Sequence, residues 1–311
     1  LSAFEKDLID WSSQKSHWKA NVKNFTLGFL EGGLIDRAIT RDITWGIPIP
    51  LEGYEDKRIY VWFEAVIGYL SASIEWASYT DKPDQWEDYR KNDSKPYYFM
   101  GKDNIPFHTI IWPSMLMGYS DLNLPYDIPA NEYLNLEGMK FSTSKNWAIW
   151  LPDYLKNYEP DPLRYVLTAS MPETGDSDFS WNEYIRRNND ELVATYGNLI
   201  QRVLSLISRN FSGKAPPPGL LDEVDNEILE QCRTTLNQTA QNLEACHFKS
   251  GLNSAFDLAH SANKYLERKA PWRVLKDDRK LAGTTLWVCL TVINCLKTCL
   301  LYTSPSPRDR G

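Results

Sequence analysis

The 311-residue chain carries 34 Lys and Arg against 41 Asp and Glu, a formal net charge of −7, with 42% hydrophobic residues. That balance excludes intrinsic disorder and a wholesale basic coat for nucleic acid, while leaving room for two domains with real cores and a local basic helix face. The five cysteines, at 232, 246, 289, 295 and 299, lie in the last third without a Cys-x-x-Cys pair, which excludes a zinc knuckle and a disulfide framework and suits a reducing intracellular compartment.

In chain order, residues 1–26 are charged and hold Trp11 and Trp18 without strand alternation, so they are expected to be the returning end of a helical insertion. Residues 36–48 end in turn chemistry, with prolines that cannot continue a helix. Within them Arg41 is a candidate anion contact, to be weighed against a surface pairing with Asp42. Residues 58–67 are rich in β-branched and aromatic side chains and predict a buried strand passing into a helix with Gly68 and Tyr69. Residues 81–94 are polar and read as a solvated loop or helix end without visible chemistry.

Tyr97-Tyr98-Phe99-Met100-Gly101-Lys102-Asp103 is a short apolar run ending in a glycine and two charges. It predicts a buried parallel strand that delivers Asp103 at its carboxyl end, where open α/β sheets bind ligands. A helical pattern follows at once, with His108 and Trp112 four residues apart on one face beside Phe107 and Ile111. Residues 131–139 approach a loop, Lys140-Phe141-Ser142-Thr143-Ser144-Lys145-Asn146, whose ammonium and hydroxyl groups suit a polyphosphate. The Gly-x-x-x-x-Gly-Lys spacing of a Walker loop is missing.

From residue 152 the pattern is helical nearly to the end. Asp161-Pro162 starts one helix and Ser180 with Glu183 forms a capping-box spacing for another. Residues 194–207, 224–245, 247–267 and 281–301 show apolar side chains at steps of three and four, as an antiparallel helix bundle requires. The most apolar stretch, 284–301, contains Asn294 and Lys297 and is read as a core helix rather than a membrane span.

Three stretches in one order, Tyr60-Val61-Trp62-Phe63-Glu64-Ala65-Val66-Ile67-Gly68-Tyr69, Gly101-Lys102-Asp103-Asn104 through Trp112-Pro113, and Lys140-Phe141-Ser142-Thr143-Ser144, closely resemble methionyl-tRNA synthetase, a class I aminoacyl-tRNA synthetase. The resemblance covers roughly residues 30 to 300. It implies an α/β fold followed by an all-α one, namely the second half of a Rossmann-like nucleotide-binding fold with a C-terminal antiparallel helix bundle. It further implies a soluble cytoplasmic ligase that uses ATP and Mg2+ to activate methionine as methionyl-adenylate and passes it to tRNA(Met). By resemblance, Trp62, Ala65, Tyr69, Phe107, His108 and Trp112 form the methionine pocket, and Gly101, Asp103 and Lys140 contact ATP. Lys140, Ser142, Ser144, Lys145 and Arg41 serve the reacting phosphates, while Asn198, Arg202 and Trp272 read the anticodon. The chain departs from the family pattern at Thr143, where a second loop lysine is usual, and at Val66, where proline is usual.

The His-x-Gly-His element of class I synthetases is not found around His17, His108, His247 or His260. The expectation is therefore a fragment, inactive by itself, with zinc only in a module preceding Leu1. The expected organisation is 1–28 as the end of that module, 29–150 as the second half of the catalytic fold, 151–185 as a helical link, 186–301 as the anticodon-binding bundle, and 302–311 as a non-native tail. Rival readings are a non-catalytic tRNA-binding module and a class I synthetase for another apolar amino acid.

Overall fold

The computed structural model describes residues 1–303; of the expected tail, only the first two residues fall within them. The described chain divides into two units, residues 1–132 and the chain from Tyr133 onward.

In the first unit, α1 (Glu5–Ser13) and α2 (Ala20–Glu31) pack together, as the absence of strand alternation predicts. β1 (Thr40–Arg41) pairs antiparallel with β2 (Arg58–Ile59). The predicted strand at 58–67 is corrected: it stops after two residues, and α3 (Val61–Ser78) takes over. The aromatic and β-branched side chains there favour a strand only as a weak prior, and the three- and four-residue spacing of Trp62, Ala65, Val66 and Tyr69 prevails through packing. After α4 (Trp86–Arg90), β3 (Met100–Gly101) pairs in parallel with β4 (Ala130–Asn131), in register Met100 to Ala130 and Gly101 to Asn131. Between them run a 3₁₀ turn (Lys102–Asn104), a wide π-helical turn (Phe107–Ile111) and α5 (Trp112–Tyr119), the crossover that a parallel pair demands. The approach to β3 is buried on one side only, since Tyr98 is buried while Tyr97 and Phe99 are exposed.

The second unit opens on a hairpin of β5 (Leu134–Leu136) and β6 (Met139–Lys140), turned by Glu137 and Gly138 at φ 49° and 77°. Two successive positive φ angles are what a tight type I′ turn requires. After α6 (Leu151–Asn157) and α7 (Pro160–Ala169), β7 (Ser177–Phe179) adds in parallel to β5, a pairing not anticipated from the sequence. The Ser180 side chain then accepts from the Glu183 backbone N–H at 3.2 Å and caps α8 (Trp181–Arg186).

A π-helical stretch (Arg187–Gly197) leads into α9 (Asn198–Asn210), so this helix begins well before the predicted residue 194. α10 (Glu223–Glu244), α11 (Phe248–Lys269), the single turn α12 (Pro271–Val274) and α13 (Arg279–Thr303) complete the bundle. Its core joins Leu199 and Val203 of α9, Ile228 and Cys232 of α10, Leu258 and Leu266 of α11, and Leu286 and Leu296 of α13. α13 is long and apolar enough to cross a membrane by composition, yet Leu286, Val288, Val292 and Leu296 are fully buried in this core. All five cysteines are free and buried.

Candidate active site and RNA-contact residues

The wall predicted for methionine is assembled from α3 and the π-helical turn leading into α5. Trp62, Ala65 and Tyr69 stand at i, i+3 and i+7 on α3 and therefore share one face, and all three are exposed. Trp62 stacks on Phe107 with ring centroids 4.7 Å apart, and Tyr69 lies 6.3 Å from the Trp112 ring. Tyr69 Oη and His108 Nε2 are 2.8 Å apart, and His108 Nδ1 lies 2.9 Å from the Asn104 carbonyl. A carbonyl only accepts, so Nδ1 carries the proton of a neutral imidazole and the Tyr69 hydroxyl donates to Nε2. Burial lowers the pKa of His108, against a smaller raising effect of the Asn104 hydrogen bond, and this keeps the ring neutral at pH 7. Burial, with the nearby Tyr98, raises the pKa of Tyr69. The result is a surface of aromatic faces around one neutral polar pair, suited to a polarizable apolar side chain.

Tyr98 belongs to this wall and was missed as a site residue. Its ring sits edge-on to Tyr69 at 4.9 Å, and its hydroxyl accepts from Trp112 Nε1 at 3.0 Å. No sequence signal singles it out, because Tyr97, Tyr98 and Phe99 read alike as an apolar run and only burial in the structure separates them. Val66 does not form the exposed face of the wall; it is buried with Tyr98, Trp112 and Leu116.

Gly101 and Asp103 close the carboxyl end of β3, and both are exposed. A Cβ at Gly101 would meet no protein atom within 4 Å, so nothing in the protein itself requires glycine there and a ligand can approach the backbone closely. Lys102 between them is turned away, pairing with Glu132 at 2.6 Å. Arg41 does not pair with Asp42, which pairs with Lys57 instead. Its guanidinium donates to the Ala38 and Thr40 carbonyls at 2.7 and 2.8 Å and covers the Tyr60 ring at 3.9 Å. Arg41 and Phe107 line one cavity of about 320 Å³ with Tyr60, Phe63, Ile111 and Met115.

In the second unit, Lys140 ends β6 with its Nζ 4.6 Å over the Tyr133 ring. The loop beyond it is pinned by reciprocal 2.9 Å backbone bonds between Ser142 and Trp147. Ser142 and Ser144 hydroxyls are 3.2 Å apart, and Lys145 is exposed at the loop tip. Trp147 Nε1 on the Leu136 carbonyl and Trp150 Nε1 on Asn146 Oδ1 hold the loop base. A rigid base with exposed hydroxyl and ammonium groups is a suitable cradle for phosphate oxygens.

In the bundle, the Arg202 guanidinium lies 5.0 Å from the Trp272 ring and donates to Glu267 at 2.6 Å. Asn198 is exposed one turn before Arg202 on α9, on the same face. Trp272 is presented by Ala270, which adopts φ 40° and ψ 57° between α11 and α12. Beneath lies a buried network in which Asp225 accepts from Tyr265 at 2.7 Å and from Lys269 at 2.6 Å.

Comparison with known proteins places the chain in a family. The family described as tRNA synthetases class I (M) matches residues 1–204, and the anticodon binding domain of methionyl tRNA ligase matches residues 215–300. The chain therefore belongs to the class I tRNA synthetase (M) family, as a partial Rossmann-like α/β fold followed by a helix bundle. Its similar relatives are more particular. The methionine–tRNA ligase of Dehalococcoides mccartyi strain 195 is 54% identical over 310 residues, covering 100% of this chain and 56% of that protein. The methionine–tRNA ligase of Thermomicrobium roseum is 50% identical over 302 residues, covering 96% and 52%. Mycobacterium tuberculosis methionyl-tRNA synthetase in complex with methionyl-adenylate superposes with a TM-score of 0.87 at 26% identity, over 98% of this chain and 60% of that one. The chain thus spans little more than half the length of the relatives it matches.

Proposed function

We propose that this chain is part of a methionine–tRNA ligase that activates methionine with ATP to methionyl-adenylate and transfers it to tRNA(Met) in the cytoplasm. The observation that carries the reading is the single wall formed by Trp62, Tyr69, Phe107, His108 and Trp112, with a neutral imidazole hydrogen-bonded to a phenol among aromatic faces. A thioether gains from ring edges and from a polar neighbour that leucine cannot use.

In the reaction, a methionine carboxylate oxygen attacks the α-phosphate, forming the acyl-phosphate bond as pyrophosphate leaves. The protein contributes positioning and charge stabilisation. Ala65 completes the methionine wall, Gly101 and Asp103 receive the adenosine part, Lys140 and Lys145 offset the charge of the departing phosphates while Ser142 and Ser144 donate hydrogen bonds to them, and Arg41 serves the reacting groups. Mg2+ bound with ATP would supply further charge stabilisation to the phosphates. Asn198, Arg202 and Trp272 read an unstacked anticodon loop, by edge hydrogen bonds and by stacking on the indole or guanidinium plane. The organisation proposed with this reading is 29–150 catalytic, 151–185 linking and 186–301 anticodon-binding, with 1–28 closing an inserted module.

The test is amino-acid-dependent exchange of pyrophosphate into ATP by the full-length gene product. Exchange with methionine and not with leucine or valine is expected; the reverse order would overturn the reading. For the bundle, an anticodon stem-loop of tRNA(Met) should bind more tightly than one altered at a single anticodon base.

A further inference from the structure

Residues 81–94 carry no chemistry in the sequence reading, yet Arg90 at the end of α4 reaches the back of the methionine wall. Its Nε donates to Ser73 Oγ at 2.9 Å, its Nη1 to Tyr98 Oη at 3.2 Å and its Nη2 to the Tyr69 carbonyl at 2.5 Å. The guanidinium is partly buried and forms no ion pair among the described residues, so its donors are spent on three neutral acceptors. Two of these, Tyr69 and Ser73, stand a turn apart on α3. The third, Tyr98, precedes β3 and receives Trp112 Nε1 from α5 on the same oxygen. The Arg90 carbonyl accepts from the Asn123 backbone, whose side chain in turn holds Asn92 and Ser94, so the fork is anchored from its own loop.

We propose that Arg90 is a positioning residue for methionine recognition, acting through the Tyr98 hydroxyl on Trp112 and directly on the Tyr69 backbone. The reading rests on the wall being the methionine site. A wall of rings selects by shape only if the rings are held, and here the Trp112 ring and the Tyr69 backbone are held by hydrogen bonds from behind. Tyr98 with both bonds in place fixes the Trp112 plane, and the grip on the Tyr69 carbonyl fixes the helix turn from which the Tyr69 hydroxyl meets His108. The planar fork of arginine satisfies three acceptors in fixed directions, which a lysine point charge cannot do.

The test compares Arg90→Gln, Arg90→Lys and Tyr98→Phe with Tyr79→Phe as control, since Tyr79 is 79% exposed beyond the end of α3 and its hydroxyl donates to Glu75 rather than to any wall residue. One readout is methionine and ATP KM in pyrophosphate exchange by the full-length gene product. The other is the ¹⁹F resonance of 5-fluorotryptophan at position 112 in the same protein, assigned with Trp112→Phe. Arg90→Gln and Tyr98→Phe are expected to shift the Trp112 resonance and raise methionine KM about tenfold, the loss of one charge-assisted hydrogen bond, with ATP KM within about twofold. Discrimination against leucine should narrow, Arg90→Lys should not restore it, and Tyr79→Phe should change neither readout. Equal rises in both KM values with a lowered melting temperature, an unmoved Trp112 resonance, or full activity in Arg90→Lys would each overturn the proposal. Wild-type protein that exchanges with leucine but not methionine would overturn the underlying methionine reading, a result separable because the Trp112 resonance still reports whether the hydrogen-bonded wall exists.

Discussion

The helix bundle and residues 1–132 solve the same problem of burial in opposite ways. In the bundle, eighteen buried side chains from four helices form one continuous cluster, and the proposed RNA-contact residues stand on its rim. In residues 1–132 buried apolar side chains form three clusters of four or five, and one of them holds Tyr98 and Trp112 of the proposed methionine wall, packed on Val66 and Leu116. The difference teaches where recognition and stability are coupled. Removing a core group should disturb ligand geometry in the first unit and leave it intact in the bundle.

The largest expected break comes from Asp225→Ala. Asp225 is 1% exposed and accepts from Tyr265, from Lys269 and from the Asp222 backbone N–H, so its loss leaves the buried Tyr265 phenol without its acceptor, opens the cap of α10 and leaves Lys269 paired with Asp222 alone. A cost of about 3–5 kcal/mol is expected in urea unfolding of the bundle, with no change in the Trp112 resonance of the other unit. Leu116→Ala should cost about 2–5 kcal/mol as a cavity, and here the Trp112 resonance and methionine affinity should change together with stability. An unchanged affinity would argue against the coupling.

Two smaller effects sharpen the contrast. Ala270 occupies left-handed backbone at φ 40°, which glycine adopts without a Cβ clash, so Ala270→Gly should stabilise the bundle by about 0.5–1 kcal/mol in the same unfolding assay. Stem-loop binding should be retained, because Trp272 keeps its place. In the first unit, folding holds His108 neutral with its pKa below the usual 6.5. Above pH 6.5 both states are neutral and the group contributes no pH dependence. As pH falls below 6.5 the unfolded chain takes up the proton first, and stability declines until the lowered folded pKa is reached. Thermal melts of wild type and His108→Gln between pH 7 and 5 should diverge in that direction, with the variant showing the shallower loss.

Local chemistry made much of this molecule legible in its sequence. Apolar steps of three and four residues define the bundle helices because each must bury one face, and Ser180 with Glu183 marks a helix start because the cap is satisfied within one turn. The apolar run ending at Gly101 predicted a parallel strand end, and the spacing of His108 and Trp112 placed both on one face. What the sequence left open depends on partners distant along the chain. Val61 to Ile67 has strand-like side chains, but helix packing against the π-helical turn at Phe107–Ile111 decided its state. Ser177–Phe179 is a strand because β5 offers its edge more than forty residues earlier. Arg90 and Tyr98 join the wall through hydrogen bonds and a ring contact that link α4, α3, α5 and the approach to β3, and such contacts have no sequence period. The sequence by itself determined which residue types and which faces the protein can use, because propensity and periodicity act over a few residues. Only the tertiary structure decided which of them meet, because those contacts form between segments whose spacing along the chain carries no signal.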